Sequence, residues 1–188
     1  LLKPIFYMKQ LLLIAFAFCL FTSSNAQVAV NGVTLPSKLK TTTSELTLNG
    51  AGVRKKAFFK VYVLGLYLQA KSTDAASILK SDKDMAVRLQ ITSSVVNSDN
   101  MSEAIHEGFT KSLGGNTAPL KSKIDNFISI FSKEKIKEGD VFILDYTKEI
   151  GVKSYKNGKL LATIAGEDFK DALFGIWLGA NPIDSGLK

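Results

Sequence analysis

A long stretch rich in apolar residues lies in the first half of the chain, Leu48–Leu68. Within its second part, Ala57–Leu68, the only charged residue is Lys60, and most of the others are β-branched, aromatic or leucine. This composition is typical of a central strand that is covered on both faces. Gly50 and Gly52 precede it and predict a turn into the strand. Because the run exceeds the usual strand length, we expect it to be the longest strand of its sheet.

Alternation of apolar and polar positions predicts further strands. One alternating segment, Gly151–Ile164, is interrupted by Asn157-Gly158, which is the signature of a type I′ turn and predicts a hairpin. In another segment Arg88 falls on the polar phase, where we expect it to be solvated. The remaining predicted strands are Val28–Pro36, Leu39–Leu48 (as an edge strand or an extended arm), Met85–Ile91 and Val141–Thr147.

Four segments have the spacing of amphipathic helices. Runs of strands followed by runs of helices favour an α+β fold, with six or seven mainly antiparallel strands and a layer of helices on the sheet. The first predicted helix is Ser72–Ser81, capped by Ser72 or Asp74, and the last is Glu167–Leu178. The second begins at a capping box formed by Asn100 and Glu103 and ends at Gly114-Gly115. The third begins at Pro119, and its apolar stripe consists of Leu120, Ile124, Phe127, Ile128 and Phe131.

The first 26 residues have the layout of a secretory signal peptide. A start at Met8 would leave residues 1–7 upstream of the protein, and the apolar run Leu11–Phe21 is followed by Ser24 and Ala26 at a small-x-small site. We expect cleavage after Ala26, an exported protein that is periplasmic or secreted, and one domain over residues 27–188. The apolar run is too short for a stable spanning helix, so we expect no integral membrane segment after cleavage.

Charge and cysteine content narrow the function classes. The single cysteine, Cys19, would leave with the signal, so we expect no disulfide and no thiol chemistry. Phe18 before Cys19 excludes a lipoprotein signal. Loss of Lys3 and Lys9 lowers the formal net charge from +7 to +5. The lysines are spread along the chain, which argues against nucleic acid as a partner and is consistent with a weak attraction to anionic ligands or surfaces.

Arg54 is the residue whose chemistry needs an explanation, since it precedes a long apolar run. It is either a surface residue that extends its charge into water beside Lys55 and Lys56, or an anion-binding group at the rim of an apolar pocket. The single histidine, His106, has no companion ligands at metal-binding spacing and no evident catalytic partners. We therefore expect neither a metal site nor a cofactor.

Several of these motifs together resemble the chalcone isomerase-like family, in its bacterial, exported branch. The resemblance covers nearly all of residues 27–188 and implies an open-faced β-sandwich in which a large antiparallel sheet is covered by helices, with a ligand cleft between the two layers. The matching segments are the run from Asn49 to Leu68, Gly139-Asp140, Asp145-Tyr146, Asn157-Gly158-Lys159, Asp168-Phe169, Ile176-Trp177-Leu178-Gly179 and Pro182.

Chalcone isomerases of this family cyclise a chalcone to a flavanone, and an arginine after a Gly-x-Gly turn stabilises the oxyanion. Arg54 matches that arginine. The threonine that assists it corresponds to Tyr62, and the tyrosine and asparagine of the first long helix correspond to Met101 and Gly108. The resemblance thus leaves open an intramolecular lyase with Arg54 as oxyanion stabiliser and Tyr62 as hydrogen-bond donor.

The pattern is also similar to the plant fatty-acid-binding proteins of the family, in which an arginine and a tyrosine hold the ligand carboxylate. On an unbroken strand the even separation of Arg54 and Tyr62 would put both on one face. The resemblance therefore implies a non-catalytic binder of a small amphipathic anion such as a fatty acid, with Met101, Ile105 and Gly108 completing the cleft. The oligomeric state is not predicted.

Overall fold

Nine strands and four α-helices form the part of the chain described by the structure, a computed structural model that covers residues 27–133 and 135–188. Seven of the strands form one antiparallel sheet, in which strands that follow one another in sequence are neighbours, and two form a separate small sheet. The strands are β1 Gln27–Val30, β2 Val33–Pro36, β3 Lys38–Lys40, β4 Glu45–Lys56, β5 Phe59–Leu68, β6 Met85–Ile91, β7 Val141–Thr147, β8 Gly151–Lys156 and β9 Lys159–Ile164.

The described helices lie on one face of the large sheet, and none of them is long and apolar enough to cross a membrane. The predicted signal peptide, residues 1–26, lies outside the described residues. The helices are α1 Ala75–Lys80, α2 Ser98–Ser112, α3 Lys121–Lys133 and α4 Glu167–Leu178, with a short 3-10 helix at Ala118–Leu120 that contains Pro119.

The apolar stretch Leu48–Leu68 is a hairpin of β4 and β5, and the prediction of a glycine turn before one long strand is wrong. Gly50 and Gly52 lie inside β4, and the chain turns instead at Ala57, whose φ is 53°. Glycine content is therefore a poor guide to the turn position here, because both glycines continue the strand and Gly52 makes room for Leu187 beside it. With 12 residues, β4 is also longer than the 10-residue β5.

The segment before β4 also differs from the prediction. Val28–Pro36 is a hairpin rather than one strand, because Asn31 and Gly32 both adopt positive φ and reverse the chain between β1 and β2. The predicted strand Leu39–Leu48 is divided between β3 and the start of β4. A two-residue turn leaves the alternation of apolar and polar positions almost unchanged. The hydrophobic pattern alone therefore does not reveal this hairpin.

Three phenylalanines join the longer helices into one layer. The ring centroids of Phe109 on α2, Phe127 on α3 and Phe169 on α4 are 5.6 to 5.8 Å apart, at separations favourable for aromatic pairs.

The N-terminus of α2 lies earlier than predicted. Asn97 is the N-cap, and Asn100 is its capping-box partner rather than the cap itself.

The large sheet is covered on both faces. Its inner face packs against the helices, while its outer face packs against the small β1–β2 sheet around Leu35, Val63 and Tyr67. Arg88 lies on the outer face opposite Gly65. The prediction that Arg88 is solvated is wrong: it is partly buried, and one terminal nitrogen of its guanidinium lies in the interior without a hydrogen-bond partner among the described residues.

Candidate functional site

A one-residue bulge in β4 decides which side of the sheet Arg54 faces. Leu48 pairs with Tyr67 and Gly50 pairs with Leu66, so Asn49 is an extra residue in the ladder. Side chains alternate along a strand, and the inserted residue therefore shifts their phase. Leu48 consequently packs into the outer core, whereas Arg54 points to the helix side.

The side chain of Asn49 holds this bulge in place. Its Oδ1 accepts a hydrogen bond from the backbone N–H of Ser72 at 2.8 Å, and its Nδ2 donates to the backbone carbonyl of Ser72 at 2.9 Å. One amide side chain thus satisfies both polar groups of a residue in the loop that follows β5. Because two hydrogen bonds join the side chain to Ser72, the extra residue of β4 is anchored to a fixed neighbour.

A second bulge lies across the hairpin in β5. Arg54 pairs directly with Tyr62, whereas Lys55 pairs with Lys60, so Val61 is the extra residue. The prediction that Arg54 and Tyr62 share a face holds, although they do so as partners on adjacent strands and not as residues of one strand. The same bulge turns Phe59 toward the helix side.

The inner face of this hairpin closes one end of an apolar cavity of about 260 Å³ between the sheet and the helix layer. Four polar side chains line it, those of Arg54, Lys56, Tyr62 and Asn100, and the rest of the lining is apolar. The apolar walls come from β6 and β7, from all three long helices and from the segments around Val95 and Ile183. Such a site, apolar with a few polar groups at one end, is typical of a pocket for a small amphipathic molecule.

Tyr62 is buried and presents its hydroxyl in this cavity. Its oxygen accepts a hydrogen bond from Nε1 of Trp177 at 3.0 Å. Burial raises the pKa of Tyr62 to about 12, although the Trp177 bond and the nearby positive charge of Arg54 both act to lower it. Tyr62 is therefore a neutral phenol at physiological pH, with a proton that it can donate to a ligand.

Arg54 is largely withdrawn from solvent, with 14% of its side chain exposed. Its Nη1 donates to the carboxylate Oδ2 of Asp184 at 3.2 Å and also contacts the backbone carbonyl of Lys55. A guanidinium carries five N–H donors, so these two contacts leave donors that can serve a further acceptor. The charge of Arg54 is balanced by an acid of the protein itself.

Asp184 is held in place by the backbone around it. Its two oxygens accept hydrogen bonds from the backbone N–H groups of Lys55 at 3.2 Å and Gly186 at 3.0 Å. Burial acts to raise the pKa of Asp184, but these two bonds and the charge of Arg54 together lower it below the usual value. Asp184 is thus a carboxylate near neutral pH and forms an ion pair with Arg54.

The structure places four of the five predicted site residues together. Arg54, Tyr62, Met101 and Ile105 all line the cavity. Gly108 does not line it. It is buried where α2 meets α4, and a methyl group at its Cα would lie 2.9 Å from Cγ2 of Ile176, so its small size serves helix packing.

Two residues that complete the site are not among the predicted ones. Trp177 belongs to one of the segments that resemble the family, but its bond to Tyr62 depends on a sheet and a helix that lie far apart in sequence. Asp184 follows the last helix in a segment with no periodic pattern. The charge balance around Arg54 would have been the one available signal, because a buried arginine requires an acid nearby.

A second, more open cavity of about 670 Å³ lies on the same sheet face, over the glycines of β4. Trp177 lines both cavities and so forms part of the wall between them. Leu187 packs directly on Gly52, where an added Cβ would lie 2.6 Å from its Cδ1. Gly52 therefore gives the C-terminal segment room to lie against the sheet.

The residues of the apolar cavity provide binding groups but no proton-transfer pair. Among the described residues that line it there is no histidine and no carboxylate, and Asp184 next to it is already paired with Arg54. In the described part of the chain, no cluster of three or more histidine, cysteine or acidic side chains could hold a metal ion. The arrangement can hold an acidic or hydrogen-bonding head group beside an apolar tail.

Comparison with known proteins identifies the fold and the family of the chain. The solved structure of a fatty-acid binding protein from Arabidopsis thaliana has the same fold, with a TM-score of 0.65 over 86% of this chain and 93% of that one, at 18% sequence identity. No curated protein sequence matches the chain. The model of a family described as chalcone isomerase-like matches residues 27–188, and the chain therefore belongs to the chalcone isomerase-like family.

Proposed function

We propose that this protein is a non-catalytic binder of a small amphipathic anion, such as a fatty acid, and that Arg54 forms the head of its binding site. The observation that carries this proposal is the direct pairing of Arg54 and Tyr62 at one end of an apolar cavity. A guanidinium and a neutral phenol can both donate hydrogen bonds to a single carboxylate. The cavity beyond them accommodates an apolar tail.

The expected affinity comes from two sources. A charge-assisted hydrogen bond to the head group contributes roughly 1.5–3 kcal/mol. Each methylene group of the tail that leaves water adds about 0.8 kcal/mol. The tail therefore supplies most of the binding free energy, and the head group supplies orientation and the preference for an acid.

Asp184 enters this proposal as a resident acid on Arg54. An incoming carboxylate either replaces Asp184 on the guanidinium or binds the donors of Arg54 that Asp184 does not use. Lys56, which also lines the cavity, favours the entry of a negatively charged head group. The ion pair keeps Arg54 from being an isolated buried charge before a ligand arrives.

The Arabidopsis fatty-acid binding protein supports the proposal through its shared fold. The alternative suggested by the sequence is cyclisation of an enone, and two of the polar positions of the isomerases are occupied here by Met101 and Gly108. Met101 has no proton to donate to an oxyanion, and Gly108 lies outside the described lining. Arg54 and Tyr62 remain as the groups able to polarise a substrate.

The single tryptophan of the chain provides a direct test, because Trp177 lines the cavity and is bonded to Tyr62. Titration with decanoate should change the fluorescence of Trp177, and decan-1-ol, which has no acid group, should bind more weakly. Arg54→Lys keeps the charge but loses the planar fork, and we expect it to weaken decanoate binding about tenfold.

Arg88→Lys is the matched control, since Arg88 is an arginine on the opposite face of the same sheet. It should bind decanoate like the unchanged protein. Equal affinity of the Arg54→Lys and Arg88→Lys proteins for decanoate would contradict the assignment of Arg54 as the head of the site. No change in fluorescence with either decanoate or decan-1-ol would contradict ligand binding itself.

We also propose that the protein is exported and acts in the periplasm or outside the cell. The signal-like pattern of residues 8–26 supports this proposal. N-terminal sequencing of the protein from a cell's exported fraction should begin at Gln27. A chain found only inside the cell with residues 8–26 still attached would contradict export.

A further inference from the structure

The turn between β4 and β5 exposes two adjacent aromatic rings. Phe58 at the apex is 100% exposed, and Phe59 next to it is 51% exposed. Single apolar side chains at a surface are ordinary, but two neighbouring phenylalanines on a protruding turn are more than the fold requires. Neither the inner nor the outer core accounts for the Phe58 ring.

Three exposed lysines surround these rings. Lys55 and Lys56 precede the turn, Lys60 follows it, and Lys55 and Lys60 are direct cross-strand partners. Like charges placed opposite each other destabilise a strand pair, so the arrangement is unfavourable for the hairpin alone. The carboxylates closest to this group, those of Asp184 and Glu107, are already engaged with Arg54 and Lys111.

The tip of the hairpin is also continuous with the entrance of the apolar cavity. Phe59 and Lys56 line that cavity, and so does Val95, which is 44% exposed. Lys56 and Phe59 therefore belong both to the hairpin tip and to the lining of the cavity. Whatever this surface contacts is brought to the opening through which a ligand would enter.

We propose that the hairpin tip, Lys55–Lys60, docks on a membrane surface that contains anionic lipids. Phe58 and the exposed edge of Phe59 enter the boundary between head groups and acyl chains, and the lysines bind lipid phosphates. A membrane fits better than a protein partner because the tip is small and convex, whereas a stable protein interface buries about 800 Å² on each side. The part of this proposal that concerns ligand delivery to the cavity rests on the proposed function.

Vesicle co-sedimentation without added fatty acid tests docking independently of ligand binding. The protein of residues 27–188 should partition onto vesicles of phosphatidylcholine with phosphatidylglycerol, and much less onto vesicles of phosphatidylcholine alone. We expect Phe58→Ser to reduce partitioning about tenfold, since it removes the phenyl ring that the membrane would bury. Lys55→Glu together with Lys60→Glu should abolish the preference for phosphatidylglycerol, and added salt should do the same.

Two matched controls address surface residues of the same kind elsewhere. Leu160→Ser removes an apolar side chain that is 49% exposed beside the turn of the β8–β9 hairpin, and Lys121→Glu reverses an exposed lysine of α3. Both variants should partition like the unchanged protein. Equal losses in Leu160→Ser and Phe58→Ser would overturn the assignment to this tip, and absence of binding to both kinds of vesicle would overturn docking altogether.

Insertion of the aromatic tip can be observed directly. Phe58→Trp, made in a Trp177→Phe background, places the only tryptophan at the apex of the turn. On anionic vesicles its emission should shift to the blue and be quenched by brominated lipids. Unchanged emission in the presence of bound vesicles would overturn insertion and would indicate attraction by the lysines alone, without the aromatic contact that the proposal requires.

The two proposals fail in different experiments. Phe58 does not line the cavity, so Phe58→Ser should bind decanoate in solution like the unchanged protein. Decanoate binding without vesicle binding would contradict the membrane proposal only. Vesicle binding without any response of Trp177 to decanoate would support docking and contradict the proposed function.

Discussion

Arg54 faces the cavity because of residues that do not touch it. The extra residue Asn49 changes the phase of β4, and the extra residue Val61 changes the phase of β5. Between the two bulges, Arg54 and Tyr62 remain in register as direct partners. The chemical character of the site is thus set by Arg54, Tyr62 and Trp177, whereas its orientation is set by irregularities in strand pairing.

At the same scale, Asp184 should control the affinity of the cavity for acids. We expect Asp184→Asn to bind decanoate about three to ten times more tightly, because the change removes a partly exposed charge pair worth roughly 1 kcal/mol with which the ligand competes. Fluorescence titration of Trp177 measures this directly. Binding of decan-1-ol should be unchanged, since an uncharged head group does not compete with a carboxylate.

Ser185→Ala is a suitable control for Asp184→Asn, since it alters the neighbouring residue without changing the charge. Weaker decanoate binding in the Asp184→Asn protein would mean that Asp184 positions Arg54 for the ligand instead of competing with it. In that case the ion pair would be a supporting part of the site. The two outcomes have opposite signs, so one titration separates them.

At the scale of elements, the helix layer depends on a close approach between α2 and α4. Gly108 allows this approach because its missing side chain leaves room for Ile176. Ser112 of α2 reinforces the contact by donating a hydrogen bond from its hydroxyl to the backbone carbonyl of Ala172 at 2.7 Å. Both helices contribute residues to the lining of the cavity, so their spacing also affects its shape.

Gly108→Ala should therefore destabilise the protein, by about 1–2 kcal/mol, even though alanine favours a helix over glycine by about 1 kcal/mol. The new methyl group would meet Cγ2 of Ile176 at 2.9 Å. Urea denaturation of the two single variants and the double variant tests this. In the Ile176→Ala background, which removes the clash, Gly108→Ala should become stabilising. A stabilising effect in the unchanged background would contradict this account.

The regular elements could be predicted from the sequence far better than the turns. The strand Met85–Ile91, the hairpin around Asn157-Gly158 and the last helix follow from alternation, turn chemistry and helical spacing. The turn at Ala57 could not be predicted, because alanine rarely adopts positive φ and the apolar run continues past it. Asn31-Gly32 carried a usable signal for the first hairpin, which the interpretation as one strand passed over.

At the scale of the whole molecule, a sheet covered on both faces buries polar groups that one exposed face would leave in water. Asp145 of β7 lies on the outer face opposite Ala86, is only 2% exposed, and has one carboxylate oxygen without a hydrogen-bond partner among the described residues. Burial raises the pKa of Asp145 to about 6, and the neighbouring charge of Lys153 offsets only part of this.

This elevated pKa predicts an unusual pH dependence of stability. An unfolded aspartate titrates near pH 4, so between about pH 4 and pH 6 the folded protein binds more protons than the unfolded chain. Asp145 therefore destabilises the fold increasingly as pH rises through this range, and by a constant amount above it. We expect Asp145→Asn to stabilise the protein by about 1–3 kcal/mol at pH 7.5, with the gain vanishing near pH 4.

Urea denaturation at several pH values measures this difference, with Asp125→Asn on the exposed face of α3 as the control. Comparing variant and unchanged protein at each pH cancels the contributions of other carboxylates. Asp140, Asp168 and Asp184, for example, have lowered pKa values and lose stabilising contacts under acid conditions. A gain that is the same at pH 4 and pH 7.5 would contradict a role of the Asp145 charge.

How much of the site could be predicted follows from the range of the contacts involved. Arg54 and Tyr62 lie within one hairpin, and their pairing could be anticipated in outline because both belong to one family motif. Trp177 and Asp184 meet them only after the sheet and the last helix have packed, at sequence separations of 115 and 130 from their partners. Contacts of that range leave no periodic signal in a single sequence.

The bulge at Asn49 has a consequence for how this family can diversify. Loss of the Asn49 codon would leave every other side chain chemically intact, yet either Leu46 and Leu48 or Arg54 would have to change sides of the sheet. A change in strand length by one amino acid can thus alter the polarity of the cavity without replacing Arg54. Relatives that differ by one inserted or deleted residue in this strand should be compared by the polarity of the ligands that they bind.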